Sequence, residues 1–380
     1  MGLRGYRTGI MVVIMMFLLH IITPVILSKA EEKSSFLPIL EDNFKFGDKV
    51  DRTVLEGFIY HIKKSDGYKI VFIGDSVVAG ATVKNRANTI PANFKELANK
   101  AFPQNKIRVY NLAMPGNRQS DIYFTFKKLY RSRAADLIIT NVNYAFYSDE
   151  MLGDKTIARS DLFRDVMDKD SAGVLGLEYS VIEGTIRNEI VQRWNVYRLR
   201  EELSFYLFGM NPREIVTSIR PGKWNLKEIN PVLTAPANGE DDPDLSWKDK
   251  MPFPDDQVEH WVQVFNVGKL DEQNRGFWFL KKMGEDIKKN KINVAAFFTP
   301  VNTGMVKELN LMKYGEHYGY NMELMKKELE EADIPVFDYT DSVDTGKFHD
   351  LFHMGPNGNK QVAEMLFQDV KSIIEEGLKK

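Results

Sequence analysis

The sequence predicts an α/β protein built on a parallel sheet with helices on both faces, a three-layer sandwich. Three observations carry this: short apolar, β-rich runs recur along the chain, helical periodicity separates them, and small or polar residues end each run. Strands that alternate with helices pair in parallel, because a helical crossover returns the chain to the same end of the sheet. The first run, residues 69–73 (Lys-Ile-Val-Phe-Ile), stops at Gly74, and a helix follows over residues 90–101. Strand 107–112, helix 120–131 and strand 136–140 continue the pattern. It resumes with helix 271–290, strand 292–298, helix 321–332, strand 334–337 and a last helix over 357–375. In such sheets ligands bind beyond the carboxyl ends of the strands, so the residues just after each strand are the ones to inspect for chemistry.

Two stretches stand outside the pattern. At the N-terminus, Arg4 and Arg7 precede an apolar run over residues 10–27, broken only by His20, Thr23 and Pro24. A run of that length can cross a bilayer core of about 30 Å. Positive charge before it, with Glu31 and Glu32 after it, puts the N-terminus in the cytoplasm. A cleaved signal peptide is the other reading, since Ser28-Lys29-Ala30 has a small-x-small cleavage pattern. The run is longer than the usual signal core of about 7 to 15 residues, which favours the anchor. Both readings put the body of the protein on the extracytoplasmic side; a buried core helix at the start of a soluble protein is the remaining reading of the run. Residues 1–30 are therefore read as anchor or signal segment, and 31–66 as a stalk and lead-in. Residues 145–257 form an insertion between the third and fourth strands, helical in character over 182–207 and rich in Pro, Gly, Asn and Asp over 220–256. Leaving the sheet at a strand end, the insertion is placed to cap the site, to offer a partner surface, or to act as a spacer. The catalytic body is then 67–144 together with 258–380.

Composition narrows the function. The net charge is −2 and Lys and Arg are dispersed among Asp and Glu, so the basic stripe of a nucleic-acid binder is missing. There is no cysteine, which removes disulfides, thiolate metal sites and a cysteine nucleophile. His61, His260 and His317 lack ligand-like spacing, and neither a metal nor another cofactor is expected.

Two motifs carry the chemistry. Gly74-Asp75-Ser76-Val77-Val78-Ala79-Gly80 follows the first strand directly, and a strand, tight turn and helix in succession lift a serine hydroxyl to the top of a sheet with turn amides around it. A helix N-cap serine is the plainer reading of that triplet. Asp350-Leu351-Phe352-His353 sits on a loop that opens the last helix, a spacing that lets the carboxylate orient the imidazole while the other ring nitrogen takes a proton.

At opposite ends of an alternating α/β chain, the two motifs resemble the SGNH (GDSL-type) hydrolases, whose nucleophile block reads Gly-Asp-Ser-x-x-x-Gly and whose last block reads Asp-x-x-His. The likeness covers residues 68–144 and 290–376. It implies a flavodoxin-like three-layer fold, with Ser76 as nucleophile, His353 as general base and then acid, and Asp350 fixing the imidazole. It also implies an oxyanion hole formed by the amides of Ser76 and Gly116 and by an asparagine side chain. Asn141-Val142-Asn143 stands where the family pattern is Gly-x-Asn-Asp: the glycine is missing, Tyr144 replaces the acid, and either asparagine fits the donor role, Asn143 ahead of Asn141. His349 is a bystander by the family spacing.

The N-terminal segment, the insertion and Phe298-Thr299-Pro300-Val301-Asn302 look like the membrane-tethered SGNH proteins of cell-surface polysaccharide O-acylation. Those proteins work beside a multi-spanning membrane acyltransferase. The implied activity is O-acyl transfer, chiefly O-acetyl, to an exported glycan through an acyl-Ser76 ester. An ester hydrolase of the same bonds and a catalytically silent scaffold subunit are the alternative expectations.

Overall fold

A computed structural model describes residues 3–32, 44–46, 52–149, 160–180, 193–208 and 245–379. The elements that matter for the site are, in chain order, α1 (Leu3–Glu32), α2 (Arg52–Lys64), β1 (Tyr68–Ile73), α3 (Ser76–Ala79), α4 (Ile90–Ala101), β2 (Ile107–Asn111), α5 (Gln119–Ser132), β3 (Leu137–Val142), α6 (Arg200–Phe208), α7 (Arg275–Asn290), β4 (Val294–Phe298), α8 (Tyr318–Glu331), β5 (Val336–Asp338) and α9 (Pro356–Leu378). The five strands pair in parallel in the order β2-β1-β3-β4-β5, the doubly wound arrangement that the alternation of strands and helices predicts.

Side-chain alternation along β1 divides the core into two layers. Ile70 and Phe72 join the face covered by α4 and α9, where Phe94 meets Phe72 edge-on at 5.2 Å and Phe367 at 5.6 Å. Val71 and Ile73 join the opposite face with Phe58 of α2, Ile122 of α5 and Phe277 of α7. Each fully buried ring of this kind contributes about 2 to 3 kcal/mol of transfer free energy. β3 extends to Val142, past the expected end at 140, because Asn141 and Val142 still pair with Phe297 and Phe298 of β4.

The expected stalk over 31–66 needs correction. α1 runs on to Glu32, Phe44 and Phe46 are buried, and α2 lays Val54, Leu55, Phe58, Ile59 and Ile62 on the core. Those apolar residues recur at helical spacing and cover one face of the sheet. The rest of the stalk, 33–43 and 47–51, lies outside the described residues. The insertion is likewise no detached lobe where it is described: Tyr147, Phe163 and Phe205 are buried in the same layer as α2 and α5. The helical expectation over 182–207 holds for Asn195–Arg198 and α6, while 181–192 and 209–244 lie outside the described residues.

α1 is the one helix among the described residues long and apolar enough to cross a membrane. Met11 and Phe17 are open to solvent, whereas Thr23, Leu27 and Ala30 form a stripe packed against the body. Pro24 has no N–H, so the His20 carbonyl loses its partner within the helix. Asn195 replaces it: its Nδ2 donates to His20 O at 2.8 Å and its backbone N–H donates to His20 Nδ1 at 3.1 Å. The helix that the sequence marks as anchor or signal is thus tied to the insertion by a bond that its own proline makes necessary.

Beneath this junction lies an ionic cluster. Lys128 of α5 is paired with Glu56 of α2 and, at 2.8 Å, with Asp165. Arg52 bridges Asp165 and Glu201, and Thr53 Oγ1 donates to Glu201 Oε2 at 2.7 Å. The neighbouring Glu202 Oε2 is shielded and has no hydrogen-bond partner. Burial, with Glu56 and Glu201 close by, pushes the Glu202 carboxyl up to about 8 from an ordinary 4.5. Between those two values the folded state holds a proton that the unfolded chain has released, so stability falls as pH rises through that window. Glu202→Gln removes the ionisation. Thermal melts are expected to show the variant above the wild type at pH near 9 and level with it near pH 4.5, with the wild type losing stability in between.

Candidate active site

The turn that carries Ser76 is built by Gly74 and Asp75. A Cβ on Gly74 would stand 2.2 Å from Asn141 Oδ1, so only glycine lets β1 turn this tightly against β3. Asp75 then caps α3, its Oδ1 accepting from the Val77 amide at 2.8 Å. Ser76 is the first residue of α3, half-buried at the carboxyl end of β1, and its amide is among the N-terminal donors that a helix leaves without an intrahelical acceptor.

The far end of the chain meets it there. Ser76 Oγ lies 2.7 Å from His353 Nε2, and His353 Nδ1 lies 2.8 Å from Asp350 Oδ2. A carboxylate only accepts, so Nδ1 carries the proton and Nε2 is left to accept from the serine hydroxyl. Asp350 is held by the amides of Phe352 and His353, which donate to its Oδ1 at 2.9 and 2.8 Å. Burial alone would raise the Asp350 carboxyl, but His353 outweighs it and holds the group at about 2. Burial pushes the His353 imidazole down, yet the charge and hydrogen bond of Asp350, with Asp75 assisting, bring it above its ordinary 6.5. The site therefore pairs a hydroxyl with a base that is stabilised as a cation once it takes the proton.

Both asparagines address Asp75, Asn141 from within β3 and Asn143 from the residue just after it. Asn141 sits inside the sheet, its Oδ1 accepting from the Asp75 amide at 3.3 Å and its Nδ2 donating to Thr299 Oγ1 at 2.8 Å. Asn143 follows the strand at the rim: its Oδ1 accepts from the Ala145 amide at 3.1 Å, which turns Nδ2 onto Asp75 Oδ2 at 2.9 Å. Gly116 has φ +72°, in the left-handed region that glycine enters without strain, and it is exposed. Its turn docks on the turn that carries Ser76, since the Met114 amide and Asn117 Nδ2 both donate to Gly74 O, at 3.2 and 3.0 Å. Tyr144 packs edge-on to Tyr318 at 4.7 Å and beside Phe265, in an aromatic cluster.

His349 donates from its backbone to His353 O at 2.8 Å and is buried beside Gly355, a packing position. Among the described residues no group of three or more His, Asp or Glu has the grouping of a metal site.

Several contributors escape the sequence reading. Asn302 holds the loop of the acid and base, its amide donating to Leu351 O at 2.9 Å and its Nδ2 to Asp350 O at 3.2 Å. It belongs to the motif singled out at the end of β4, so a signal existed without an assigned role. Asn117, one residue past Gly116, had none. The limb returning from the insertion also reaches this loop, because the Trp247 amide donates to Phe348 O at 2.8 Å.

No family model matches the sequence, and no curated protein does. Solved structures do match over most of the fold. A Bacteroides fragilis protein assigned as an acylhydrolase is 11% identical with TM-score 0.39, over 86% of this chain and 99% of that one. The acetylxylan esterase Axe2 of Geobacillus stearothermophilus is 12% identical with TM-score 0.37, over 81% and 96%. LAE5, an alpha/beta hydrolase enzyme from the metagenome of Lake Arreo, is 11% identical with TM-score 0.35, over 82% and 98%. Likeness at this distance carries no information about substrate.

Proposed function

We propose that this chain is a membrane-tethered, extracytoplasmic serine enzyme that carries an acyl group as a Ser76 ester and passes it to a hydroxyl of an exported polysaccharide. One observation carries the reading: Ser76, His353 and Asp350, drawn from opposite ends of the chain, stand in hydrogen-bonded line at 2.7 and 2.8 Å. Ser76 Oγ attacks the carbonyl carbon of an acyl ester while His353 Nε2 takes its proton. The tetrahedral intermediate collapses, the leaving alkoxide receives that proton, and acyl-Ser76 remains. An acceptor hydroxyl then gives its proton to Nε2 and attacks the acyl carbon, and as the second tetrahedral intermediate collapses Ser76 Oγ leaves and takes that proton from Nε2.

Asn143, with the amides of Ser76 and Gly116, is the group we assign to the oxyanion. Its place just past the last residue of β3 supports it over Asn141, which sits within the strand; each Nδ2 keeps a second hydrogen beyond the one given to Asp75 or Thr299. A preorganised donor of this kind is worth about 10²- to 10³-fold in kcat. Asn143→Ala is therefore expected to lower kcat on an acetyl ester by that order with KM little changed. Steady-state kinetics beside Asn141→Ala checks the assignment, and an equal or larger kcat loss in the second variant reverses it.

The docking of α1 supports a retained anchor, since cleavage after Ala30 would strip Leu27 and Ala30 from the packed stripe and leave Asn195 without His20. A multi-spanning membrane acyltransferase that supplies the acyl group is the partner this topology suits. The competing reading is hydrolysis. It is favoured by the openness of the site, where the His353 and Asp350 side chains are 26% and 28% exposed and water can reach the acyl-enzyme. A candidate oligosaccharide incubated with enzyme and an acetyl donor distinguishes them by mass: acylated sugar supports transfer, and free acid alone supports the esterase. A silent scaffold requires that neither product form.

A further inference from the structure

We propose that Lys45 is a positioning residue for Ser76, and that Phe44-Lys45-Phe46 clasps the loop joining the nucleophile to its base; the inference rests on the catalytic reading of Ser76. Lys45 is buried, and its Nζ donates to Gly80 O at 2.8 Å and to Val83 O at 2.6 Å. A buried ammonium is costly unless its hydrogens are satisfied, so these carbonyls fix where the side chain ends. Phe44 and Phe46 keep it there: they lie edge-on to each other at 4.9 Å, and Phe44 meets Phe58 of α2 at 5.0 Å.

The loop that Lys45 grips, residues 80–83, is fastened to both halves of the site. At its start the Ala81 amide donates to the carbonyl of Ser76 itself at 2.9 Å. Thr82 Oγ1 donates to Met354 O at 3.0 Å, on the residue that follows His353. This short loop therefore links Ser76 to the residue after His353, and Lys45 holds it at both ends, on Gly80 O and Val83 O. Without the two donated bonds the loop keeps its tether to the base but gains freedom at the nucleophile. A displacement of about 1 Å at reacting atoms costs as much as 10²-fold in rate. The segment following the membrane helix is on this account part of the catalytic apparatus.

The test uses the full chain in detergent. Lys45→Met keeps most of the side-chain bulk and removes the donors. It is expected to lower kcat for a chromogenic acetyl ester by about 10- to 100-fold with KM within about twofold, while Lys45→Arg recovers part of the loss. Amide exchange should quicken over residues 80–83 and stay unchanged in α7. Thr82→Val, which frees the loop from Met354 instead, should show the same kcat-against-KM split, and it decides the matter if Lys45→Met does not fold. Unchanged kcat and exchange in Lys45→Met overturn the proposal, as does exchange that quickens equally in α7, or wild-type kcat in Thr82→Val. If the wild-type chain turns over no ester, the reading of Ser76 fails, and the exchange measurement still decides whether Lys45 holds the loop.

Discussion

Ser76→Ala is expected to lower kcat on an acetyl ester by about 10⁶-fold with the fold intact, leaving the residual rate that binding and the oxyanion donors sustain. The size follows from the division of labour in the site. In the first step His353 is to take its proton from the hydroxyl 2.7 Å away, and on this mechanism no covalent intermediate forms without Ser76 Oγ. The substitution removes one half-buried oxygen at the first residue of α3, where alanine favours the helix, so melting temperature should change little. Initial rates and thermal melts on the same samples check both parts. A variant retaining more than a few percent of the wild-type rate would move the nucleophile elsewhere.

The second large effect is at Asp350. Asp350→Asn is expected to cost about 10⁴-fold in kcat, because an amide in place of the carboxylate no longer selects the tautomer with Nδ1 protonated. The pH profile should change in a direction that a loss of packing would not produce. General-base catalysis needs neutral His353, so in the wild type kcat/KM rises with pH through a midpoint above the ordinary imidazole value of 6.5. Asp350 supplies the main opposition to burial at His353, and once its charge is gone burial dominates. The residual activity of the variant should therefore have its midpoint at lower pH than the wild type. An unchanged midpoint would mean that Asp350 does not govern the imidazole.

Much of this was legible in the sequence, for physical reasons. The central strands declare themselves because parallel strands buried on both faces are short and apolar, and β1, β3 and β4 fall within those runs; the edge strand β5 is unburied and forms only at Val336–Asp338, two residues after its run begins. The nucleophile turn and the acid-base loop are each local, and a sheet of this order brings strand ends to one rim. What stayed hidden depends on contacts between residues distant in sequence. Phe44-Lys45-Phe46 reads as a polar stalk with scattered rings until Phe58, Gly80 and Val83 are found around it. The preference for Asn143 over Asn141 turns on where β3 ends, and the pairing of Asn141 with Phe297 and of Val142 with Phe298 keeps Asn141 within the strand. Asn195 looks like any polar residue of the insertion, and only its place opposite Pro24 gives it a role.

The covalent intermediate is the claim on which the rest depends, and it can be weighed. Wild-type protein is mixed with an acetyl ester, quenched in acid within the first turnovers, and digested with trypsin. Mass analysis of the peptide spanning residues 70–84, which contains Ser76, then follows. The account predicts one acetyl group on that peptide, located at Ser76 by fragmentation, absent from Ser76→Ala and lost on incubation before quenching. Ester turnover with an unmodified peptide at every quench time, or an acetyl group that forms equally in the alanine variant, would contradict it.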